Sequence, residues 1–564
     1  MVQTLEEAGV KHCYGIVGDT LNHFTDSIAK SSISWVHVRH EEVGGFAAGA
    51  DALMSGNLTA CAGSCGPGSL HFINGLFESH RNGAPVVLIA SQLSNEDTGY
   101  VDFPQYVDFK AVYGSCSVYC EEIKHPSQAR HIMTLACQAA ITQGGVAVVI
   151  MPTNISAQHT DDNLHFRTLN PQPVLTPVKG ELQQIAELLN ATKKVMIYTG
   201  AGAKGAHDIV VKTAEKLKAP IGHSSRGKDF IEYDNPYNMG MPGMLGHKSC
   251  MHALTQCEVL LILGADFTWP QYYPKNAKII QIDHRATHIG RRYPVELGAV
   301  GDIKPTMEAL YGLLGTNDDR QFLDECLKVK AESDKIRTHE EREGKNGLIH
   351  PQHLTAVLNK HADDDAYFTA DGGSPMVWIL RHIDVNGKRR TLTSLLHGTM
   401  ANAMPQALGI QKAFPGKQVI SLSGDGGLAM LMGDLLTAVQ EKLPIKVVVF
   451  NNRSLNFVQL EQQVEGLLDN FTDLSNPDFA KVAQSIGWYG ATVSHCDQLE
   501  QAVTDFLKQE GPALLNVHTN PNELMMPPEV EFAQAKGLAL YGAKAVLAGR
   551  FGDVADMVKN NVFE

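Results

Sequence analysis

Residues 418–452 read QVISLSGDGGLAMLMGDLLTAVQEKLPIKVVVFNN, and this stretch decides the fold class. An apolar run ends in Gly-Asp-Gly, a largely apolar span follows, and a second Val-rich run ends in Asn-Asn. A strand, a helix of about four turns and a second strand make one βαβ unit, in which the two strands run parallel. The pattern therefore predicts that Asp425 and Asn452, 452 − 425 = 27 residues apart, reach the same edge of one sheet.

Similar short apolar runs rich in Val and Ile recur along the chain. They include residues 145–152, 194–202, 258–267 and 278–284. Such runs are typical of buried parallel strands that are covered by helices on both faces. The predicted fold class is α/β, with three doubly wound parallel-sheet domains and a C-terminal amphipathic tail.

Two polar stretches divide the chain into blocks of similar size. Residues 156–177 are polar and end among prolines, and residues 328–352 are heavily charged, so both are predicted to be linkers. The predicted units are residues 1–155, 178–327 and 353–525, followed by the tail, residues 526–564. The first and third blocks are candidates for distant copies of one fold.

The composition excludes several classes of protein. Lys and Arg number 47 against 61 Asp and Glu, and the net charge of −14 argues against a general nucleic-acid binder. No apolar run reaches the ~18 residues of a membrane-spanning helix. Residues 1–15 lack the basic start and apolar block of a signal peptide, so none is expected.

The ten cysteines are spread over a large chain and do not form a disulfide pattern. The closest pairs are Cys61 with Cys65 and Cys116 with Cys120. Free thiols in a reducing cytosol are the favoured interpretation. A zinc site is the alternative, but no second Cys or His pair lies nearby at the required spacing.

The Gly-Asp-Gly turn and the Asn pair together indicate an anchor for Mg²⁺ and a diphosphate. Gly424, Gly426 and Gly427 allow a sharp turn and a close approach of the backbone to a ligand. The helix that follows presents free N–H groups to an anion. A carboxylate from Asp425 and an amide oxygen from Asn452 suit Mg²⁺, which completes its shell with phosphate and water. Taken alone, the Gly-Asp-Gly sequence is better explained as a turn.

The chain resembles the thiamine diphosphate-dependent enzymes. The resemblance rests on the Gly-Asp-Gly and Asn-Asn signature, on RHEEVGGFAAGADAL (39–53) and SCGPGSLHFINGL (64–76), and on HGTMANAMPQALG (397–409). Within that family it is similar above all to the quinone-dependent pyruvate oxidases. The resemblance implies a pyrimidine-binding first domain, an FAD-binding central domain and a diphosphate-binding third domain. The implied cofactors are thiamine diphosphate, Mg²⁺ and FAD.

The resemblance also implies roles for single residues. Asp425, the side chain of Asn452 and the carbonyl of Ser454 would bind Mg²⁺. Glu41 would face the aminopyrimidine ring of the cofactor and share a proton with it, and Met400 would hold the cofactor bent. The positions that match residues around the reacting carbon are His71, Gln105, Phe457 and Glu461.

Each of these residues has a simpler explanation when it is taken alone. Glu41 would be an exposed carboxylate near a helix start, where the helix dipole favours it. His71 would be a core histidine, and Phe457 would be ordinary core. The family pattern also has Phe and Glu where this chain has Pro104 and Tyr106, which puts substrate preference in doubt.

The central block carries a Gly200-x-Gly202-x-x-Gly205 motif after a predicted strand. This motif is weak by itself, because a tight turn without a ligand has the same sequence. Arg226 is a candidate for the pyrophosphate of the flavin. In flavin-containing relatives the matching aspartates lie near the adenosine part, and here they are Asp283 and Asp302. The alternative is a domain that binds only ADP or nothing.

The implied reaction is oxidation of pyruvate to acetate and CO₂, with electrons passed through FAD to ubiquinone. The resemblance implies a homotetramer with shared sites, cytoplasmic and peripherally associated with the inner face of the cell membrane. Apolar residues within 538–547 and 554–563 recur at helical spacing, so the tail is a candidate switch that binds membrane lipid. A docked C-terminal helix is the alternative.

Two other functions stay open at this point. One is a non-oxidative carboligase of the acetolactate synthase type with a structural flavin. The other is a binding or regulatory protein, which the presence of Glu41, Asp425 and Asn452 argues against.

Overall fold

Three six-stranded parallel sheets, each with helices on its faces, make up the chain. The computed structural model describes residues 1–98, 100, 102–160, 166–342, 349–521 and 532–547. The predicted α/β fold class is confirmed. Of the apolar tail positions predicted above, residues 554–563 lie outside the described residues.

The first sheet has the strand order β2-β1-β3-β4-β6-β5. Its strands are β1 (His12–Gly15), β2 (Ser34–His37), β3 (Thr59–Gly63), β4 (Val86–Gln92), β5 (Tyr119–Glu122) and β6 (Val146–Pro152). The helices around it are α1 (Val2–Glu7), α2 (Asn22–Ala29), α3 (Glu41–Ser55), α4 (Pro67–Leu70), α5 (Ile73–Arg81), α6 (Phe109–Tyr113), α7 (Ala129–Ala139) and α8 (Thr153–Ser156).

The second sheet has the order β12-β11-β10-β7-β8-β9, which is the arrangement of dinucleotide-binding domains. Its strands are β7 (Val195–Thr199), β8 (Ile221–His223), β9 (Asn238–Gly240), β10 (Val259–Leu263), β11 (Lys278–Asp283) and β12 (Leu297–Val300). Its helices are α9 (Lys179–Asn190), α10 (His207–Leu217), α11 (Lys228–Ile231), α12 (Lys248–Gln256), α13 (Ile303–Tyr311) and α14 (Gln321–Glu340).

The third sheet has the order β14-β13-β15-β16-β18-β17. Its strands are β13 (Tyr367–Ala370), β14 (Arg390–Thr393), β15 (Val419–Gly424), β16 (Lys446–Asn451), β17 (Tyr489–Val493) and β18 (Ala513–His518). Its helices are α15 (Pro351–His361), α16 (Ser374–His382), α17 (Ala403–Ala413), α18 (Asp425–Leu431), α19 (Leu435–Gln440), α20 (Asn456–Val464), α21 (Phe479–Ser485) and α22 (Cys496–Leu507), and the tail contributes α23 (Phe532–Leu547).

The first and third sheets share one topology. Counted from the first strand of each sheet, both run in the order 2-1-3-4-6-5. The central strands β4, β6 and β16 are buried along their whole length, which explains why their sequences are continuously apolar. Two distant copies of one fold would have the same strand order, as these two sheets do.

Helices α3 and α17 hold the first and third domains together. A Cβ added at Gly409 would lie 2.7 Å from the carbonyl carbon of Ala47. Glycine is therefore required at Gly409, because the two backbones approach too closely for a side chain. This packing buries most of α3, including Glu41 at its first turn.

Two predicted local features are wrong. The helix expected between β15 and β16 is broken into α18 and α19 by a 3-10 turn at Met432–Asp434. The break lets Asp434 accept hydrogen bonds from the backbone N–H of Arg39 (2.7 Å) and from Thr437 Oγ1 (2.8 Å). The predicted linker 328–352 is also helical in its first part, since α14 runs to Glu340.

The apolar start of α14 explains that second error. Phe322, Leu323 and Cys326 are buried there, and Phe322 and Cys326 join the core cluster that includes residues of α12. The charged half of the helix follows this anchor. The prediction from local composition was therefore wrong. Apolar packing at one end of the helix stabilises the charged half that follows it.

All ten cysteines are free, and nine of them are buried. Within the described residues, no group of three or more His, Cys, Asp or Glu side chains is arranged to hold a metal ion. Over the same part of the chain, no helix is both long enough and apolar enough to cross a lipid bilayer.

Candidate active site

Three neighbouring strands of the third sheet end in polar residues at one edge. Asp371 follows β13, Asp425 follows β15, and Asn451 and Asn452 lie at the end of β16. These strands are adjacent in the order β13-β15-β16 and run parallel. The predicted meeting of Asp425 with the Asn pair is therefore observed, and Asp371 joins them.

Asp425 is the buried carboxylate at the centre of this edge, with 3% of its surface exposed. Its Oδ1 accepts from the N–H of Gly426 (2.8 Å), and its Oδ2 accepts from the N–H of Arg453 (2.7 Å) and from Asn476 Nδ2 (2.8 Å). Burial raises the pKa of Asp425 even though these hydrogen bonds favour the charged form. A bound cation would relieve that cost.

The loop after β16 brings its oxygen atoms to the same place. Arg453 adopts a left-handed conformation with φ of 60°, which turns its N–H toward Asp425. Asn452 Oδ1 accepts from the N–H of Ser454 (3.0 Å) and keeps a second lone pair. Oxygen donors of this kind fit Mg²⁺, with Asp425, Asn452 and the carbonyl of Ser454 as the residues that would hold it.

Asp371 is a site residue that the sequence reasoning missed. It is buried and accepts from the N–H groups of Ala403 (2.8 Å) and Gly424 (3.0 Å). Burial raises the pKa of Asp371 to about 7. The sequence contained a signal for this residue. Asp371-Gly372-Gly373 follows a strand, as does the Asp-Gly of the Gly-Asp-Gly turn.

The glycines of the turn are explained mainly by packing within the chain. A Cβ added at Gly427 would overlap the carboxylate of Asp371. A Cβ added at Gly426 would lie 2.9 Å from the side chain of Leu455 and 3.4 Å from Met400 Cε. Met400 is thus half-buried beside the turn, next to the predicted position of the cofactor. At Gly424 the nearest atom would be 3.7 Å away, so no contact requires glycine there.

Glu41 begins α3 and lies at the carboxyl edge of the first sheet. It is buried, with 7% of its surface exposed, so the explanation as an exposed carboxylate at a helix start is wrong. Glu41 Oε2 pairs with His71 Nδ1 at 3.0 Å, and the ring of His71 stacks on that of His40 at 4.8 Å between centroids. His71 keeps about half of its side chain exposed, so it is not a core histidine.

Gln105 lies in an exposed loop beside the same edge. It adopts φ of 66°, and its carbonyl oxygen faces Gly66, where an added Cβ would lie 2.9 Å away. Cys65 Sγ lies 3.5 Å from Gln105 Oε1. Pro104 and Tyr106 are exposed on either side, so the unusual neighbours of Gln105 face solvent in the single chain.

Phe457 and Glu461 lie four residues apart on α20 and therefore on one face of that helix. Phe457 is partly buried against the core of the third domain, whereas Glu461 is exposed. In the part of the chain that the structure describes, no hydrogen bond or ion pair joins Glu41 to Asp425. The predicted residues thus form two groups, one on the first domain and one on the third.

The tail helix α23 packs on α20, beside the second group. A Cβ added at Gly537 would lie 2.6 Å from the carbonyl carbon of Val464, and Lys544 Nζ donates to the carbonyl of Gly466 (2.7 Å). Tyr541 is almost fully buried in this contact region. The tail therefore covers the end of the helix that carries Phe457 and Glu461.

The residues of the central domain fit a flavin site only in part. The N–H groups of Gly200 and Gly202 bind the carbonyls of Leu263 and Gly264 (3.0 Å each), and a Cβ added at Gly202 would lie 2.8 Å from Gly264 Cα. These glycines thus serve the packing of two loops. Arg226 Nη2 donates to the carbonyl of Asn82 in the first domain (3.1 Å).

The two aspartates of the central domain differ in their freedom to bind a ligand. Asp283 is buried at the end of β11 and uses Oδ1 to accept from the N–H of Arg285 (2.8 Å). Its Oδ2 makes no hydrogen bond within the described residues, so it fits a ribose hydroxyl. Asp302 Oδ2 instead accepts from the N–H of Leu175 (2.8 Å) and ties the first linker to this domain.

Models of three thiamine pyrophosphate enzyme domains match the chain in order. The N-terminal TPP-binding domain matches residues 1–112, the central domain matches residues 182–310, and the C-terminal TPP-binding domain matches residues 371–517. A protein of Bacillus subtilis (strain 168), YdaP, described as thiamine pyrophosphate-containing, is 32% identical over 547 residues, covering 96% of this chain and 95% of its own. The chain belongs to the thiamine pyrophosphate enzyme family.

Two relatives of known reaction illustrate the range of this family. The pyruvate oxidase of Lactiplantibacillus plantarum is 28% identical over 534 residues, covering 92% of this chain and 87% of its own. The acetolactate synthase isozyme 2 large subunit of Escherichia coli (strain K12) is 28% identical over 538 residues, covering 93% and 96%. Identity therefore does not distinguish the two reactions.

For a thiamine pyrophosphate enzyme, the two groups of residues fall on the two TPP-binding domains. Glu41, His71 and Gln105 lie in the N-terminal one, and Asp425 and Asn452 lie in the C-terminal one. The carboxyl edge with its buried aspartates suits the diphosphate and its Mg²⁺. The edge with Glu41 suits the pyrimidine ring.

Proposed function

We propose that this thiamine pyrophosphate enzyme oxidises pyruvate, with water and quinone, to acetate, CO₂ and quinol. Thiamine pyrophosphate would supply the electron sink for loss of CO₂, and FAD would supply the acceptor that passes two electrons to ubiquinone. The observation that carries the proposal is α23 packed on the C-terminal end of α20, the helix that also carries Phe457 and Glu461. The resemblance of this C-terminal segment to that of the quinone-dependent oxidases favours the oxidase over a carboligase.

The residues of the chain take defined parts in this scheme. Glu41 would hold a proton at Oε1, because its Oε2 is occupied by His71. Asp425 and Asn452 would bind Mg²⁺ and so fix the diphosphate, and Met400 would keep the cofactor bent. Phe457 supplies apolar surface, which favours the loss of charge when CO₂ leaves.

FAD, which accepts the electrons after CO₂ has left, would lie at the carboxyl edge of the central sheet. Asp283 would bind its ribose through Oδ2, with Asp302 and the Gly200–Gly202 loop beside it. Because Arg226 reaches the first domain, its positive charge would lie between the two domains.

The tail would act as a switch between two partners. With oxidised flavin, α23 stays on α20; after reduction it would leave and bind lipid on the inner face of the cell membrane, where ubiquinone is found. Leu540 and Val546 are about half exposed and Leu547 is 88% exposed, so the helix already presents an apolar side to solvent.

The sites would be shared between subunits of a homotetramer. Glu41 and Asp425 belong to separate groups within one chain, so each would complete a site with the partner residue of another chain. Mixing the inactive variants Glu41→Gln and Asp425→Asn, followed by exchange of subunits, should then restore activity. Half of the pairs formed by random exchange are mixed, and each mixed pair carries one intact site of two, which predicts about a quarter of wild-type activity. No recovery would show that each chain makes its own site.

Anaerobic mixing with pyruvate tests the reaction itself. The protein is loaded with Mg²⁺, thiamine pyrophosphate and FAD, and the yellow flavin absorbance is followed. An oxidase loses this absorbance within its turnover time and forms acetate. Acetolactate formed with the absorbance intact would establish the second candidate, a carboligase, which the E. coli relative supports.

A further inference from the structure

The loop that carries Met400 contains a strained residue directly after it. Ala401 is buried, with 3% of its surface exposed, and its φ is 63°. This left-handed conformation is unfavourable for a residue with a Cβ, and alanine has no polar side-chain atom that could compensate by a local hydrogen bond. Such a conformation persists only where the surrounding structure fixes it.

Asn402 anchors the loop on the C-terminal side of Ala401. Its buried Nδ2 donates to the carbonyl of Ala370 (3.0 Å) and to Gln406 Oε1 (2.9 Å), and its Oδ1 accepts from the N–H of Gly372 (3.0 Å). The residue stands directly before α17, where an Asn side chain usually caps the helix, yet it makes no cap hydrogen bond. Its amide instead binds the loop to the end of β13.

Thr399 anchors the loop on the N-terminal side of Met400. Its carbonyl accepts from the N–H of Gly372 (3.2 Å), and its hydroxyl donates to the carbonyl of Met400 (2.9 Å). A Cβ added at Gly372 would lie 2.3 Å from the carbonyl oxygen of Thr399, so glycine is required for this approach. Both sides of the loop are therefore tied to the same N–H group after β13.

The left-handed residue separates the directions of the two side chains that flank it. Met400 Cε approaches the Gly-Asp-Gly turn, 3.4 Å from where a Cβ at Gly426 would lie, whereas the amide of Asn402 reaches the end of β13. A right-handed conformation at Ala401 would rotate Met400 relative to Asn402, and the two contacts would not be kept together. Because Asn402 is anchored, the φ of Ala401 decides where Met400 lies.

We propose that Ala401 is a positioning residue, whose left-handed conformation holds Met400 against the Gly-Asp-Gly turn before thiamine pyrophosphate binds. The inference rests on the part of Met400 in the proposed function and not on the identity of the electron acceptor. A side chain that is already in place shapes the bound cofactor without a loss of loop freedom on binding. The strain at Ala401 is thus part of how the site is built.

Ala401→Gly tests the proposal, because glycine adopts the same φ without strain but also adopts others. The cofactor-free variant should melt about 2–4 °C above wild type. Once thiamine pyrophosphate is bound, exchange of its acidic thiazolium proton for deuterium, followed by NMR after an acid quench, should be about 10- to 100-fold slower, because its reactive geometry is less well held. The Kd of the cofactor at saturating Mg²⁺ should change by less than about threefold, because Asp425 and Asn452 are unaltered.

Lys442→Gly is the matched control. Lys442 is an exposed left-handed residue of the same domain, with φ of 54°, and it precedes β16 at the edge of the sheet opposite to Asn451. This variant should also melt above wild type, and its exchange rate should be unchanged. Met400→Ala provides a second test, because it removes the side chain to be positioned. In that background Ala401→Gly should slow exchange by less than about twofold.

The proposal is overturned if Ala401→Gly exchanges as fast as Lys442→Gly, or if it slows exchange by the same factor with and without the Met400 side chain. A lower melting temperature for cofactor-free Ala401→Gly would also overturn it, since Ala401 would then not be strained. Exchange requires neither pyruvate nor flavin, so these results are separate from the choice between oxidase and carboligase. Wild-type exchange in Met400→Ala would remove the inference together with the part of Met400 in the proposed function.

Discussion

Replacing Asp425 by Asn removes one negative charge from the edge of the third sheet and keeps the size of the side chain. The carboxylate accepts three hydrogen bonds, one at Oδ1 and two at Oδ2. An amide has a single oxygen, so its NH₂ group must face at least one N–H donor. If Mg²⁺ binds at Asp425, the variant also loses the charged ligand.

The two losses act on different states of the protein. Loss of a contact to a charged group costs about 1.5–3 kcal/mol, which is about a 10- to 100-fold rise in the Kd of thiamine pyrophosphate at saturating Mg²⁺. Without cofactor, the lost hydrogen bond is offset because a buried charge with a raised pKa has been removed. The melting temperature of the cofactor-free variant should therefore stay close to that of wild type.

Titration of the cofactor-free protein with thiamine pyrophosphate, followed by calorimetry, measures the Kd. Asp364→Asn, at an exposed position of the same domain, removes the same charge far from β15 and controls for net charge. A Kd for Asp425→Asn within about threefold of the control would refute the magnesium assignment. A large drop in the melting temperature of the cofactor-free variant would show instead that Asp425 is mainly structural.

Three further predictions concern catalysis, the tail and pH. Glu41→Gln should slow anaerobic flavin bleaching by about 10²- to 10⁴-fold, the usual value of a proton-transferring group, and near-normal bleaching would remove Glu41 from that role. Gly537→Ala forces a Cβ against Val464, so α23 should detach and turnover with a soluble quinone should lose its response to lipid; Gly511→Ala, which meets no atom within 4 Å, should behave as wild type. Asp371 has a pKa raised to about 7, so its contribution to the free energy of unfolding is largest at low pH and is lost as the pH rises from about 4 through 7, by on the order of 4 kcal/mol. Denaturant unfolding across that range should show this decline in wild type and a correspondingly smaller one in Asp371→Asn.

Much of the fold followed from local patterns. The strand at β15, the strand at β16 and the parallel order between them were predictable because continuous apolar runs and a right-handed crossover leave few alternatives. The apposition of Asp425 and Asn452 followed from the same argument. The small residues after Glu41 (VGGFAAGA, 43–50) are consistent with the close packing of α3 that buries it.

Other features depended on contacts between distant residues. The break between α18 and α19 serves a hydrogen bond from Arg39, nearly four hundred residues away. Gly427 looked like a turn residue that approaches a ligand, yet the side chain that excludes a Cβ there is Asp371. No local pattern contains that information.

The sequence by itself determined the family, the three sheets and the identity of most candidate ligands, because these depend on periodicity and on motifs that recur at fixed spacing. Only the tertiary structure decided which oxygen atoms of those residues already accept hydrogen bonds within the chain. It showed that Gly200 and Gly202 serve loop packing and that α23 rests on α20. The physical reason is that hydrogen bonding and burial are settled by neighbours in space, and these neighbours come from separate parts of the chain.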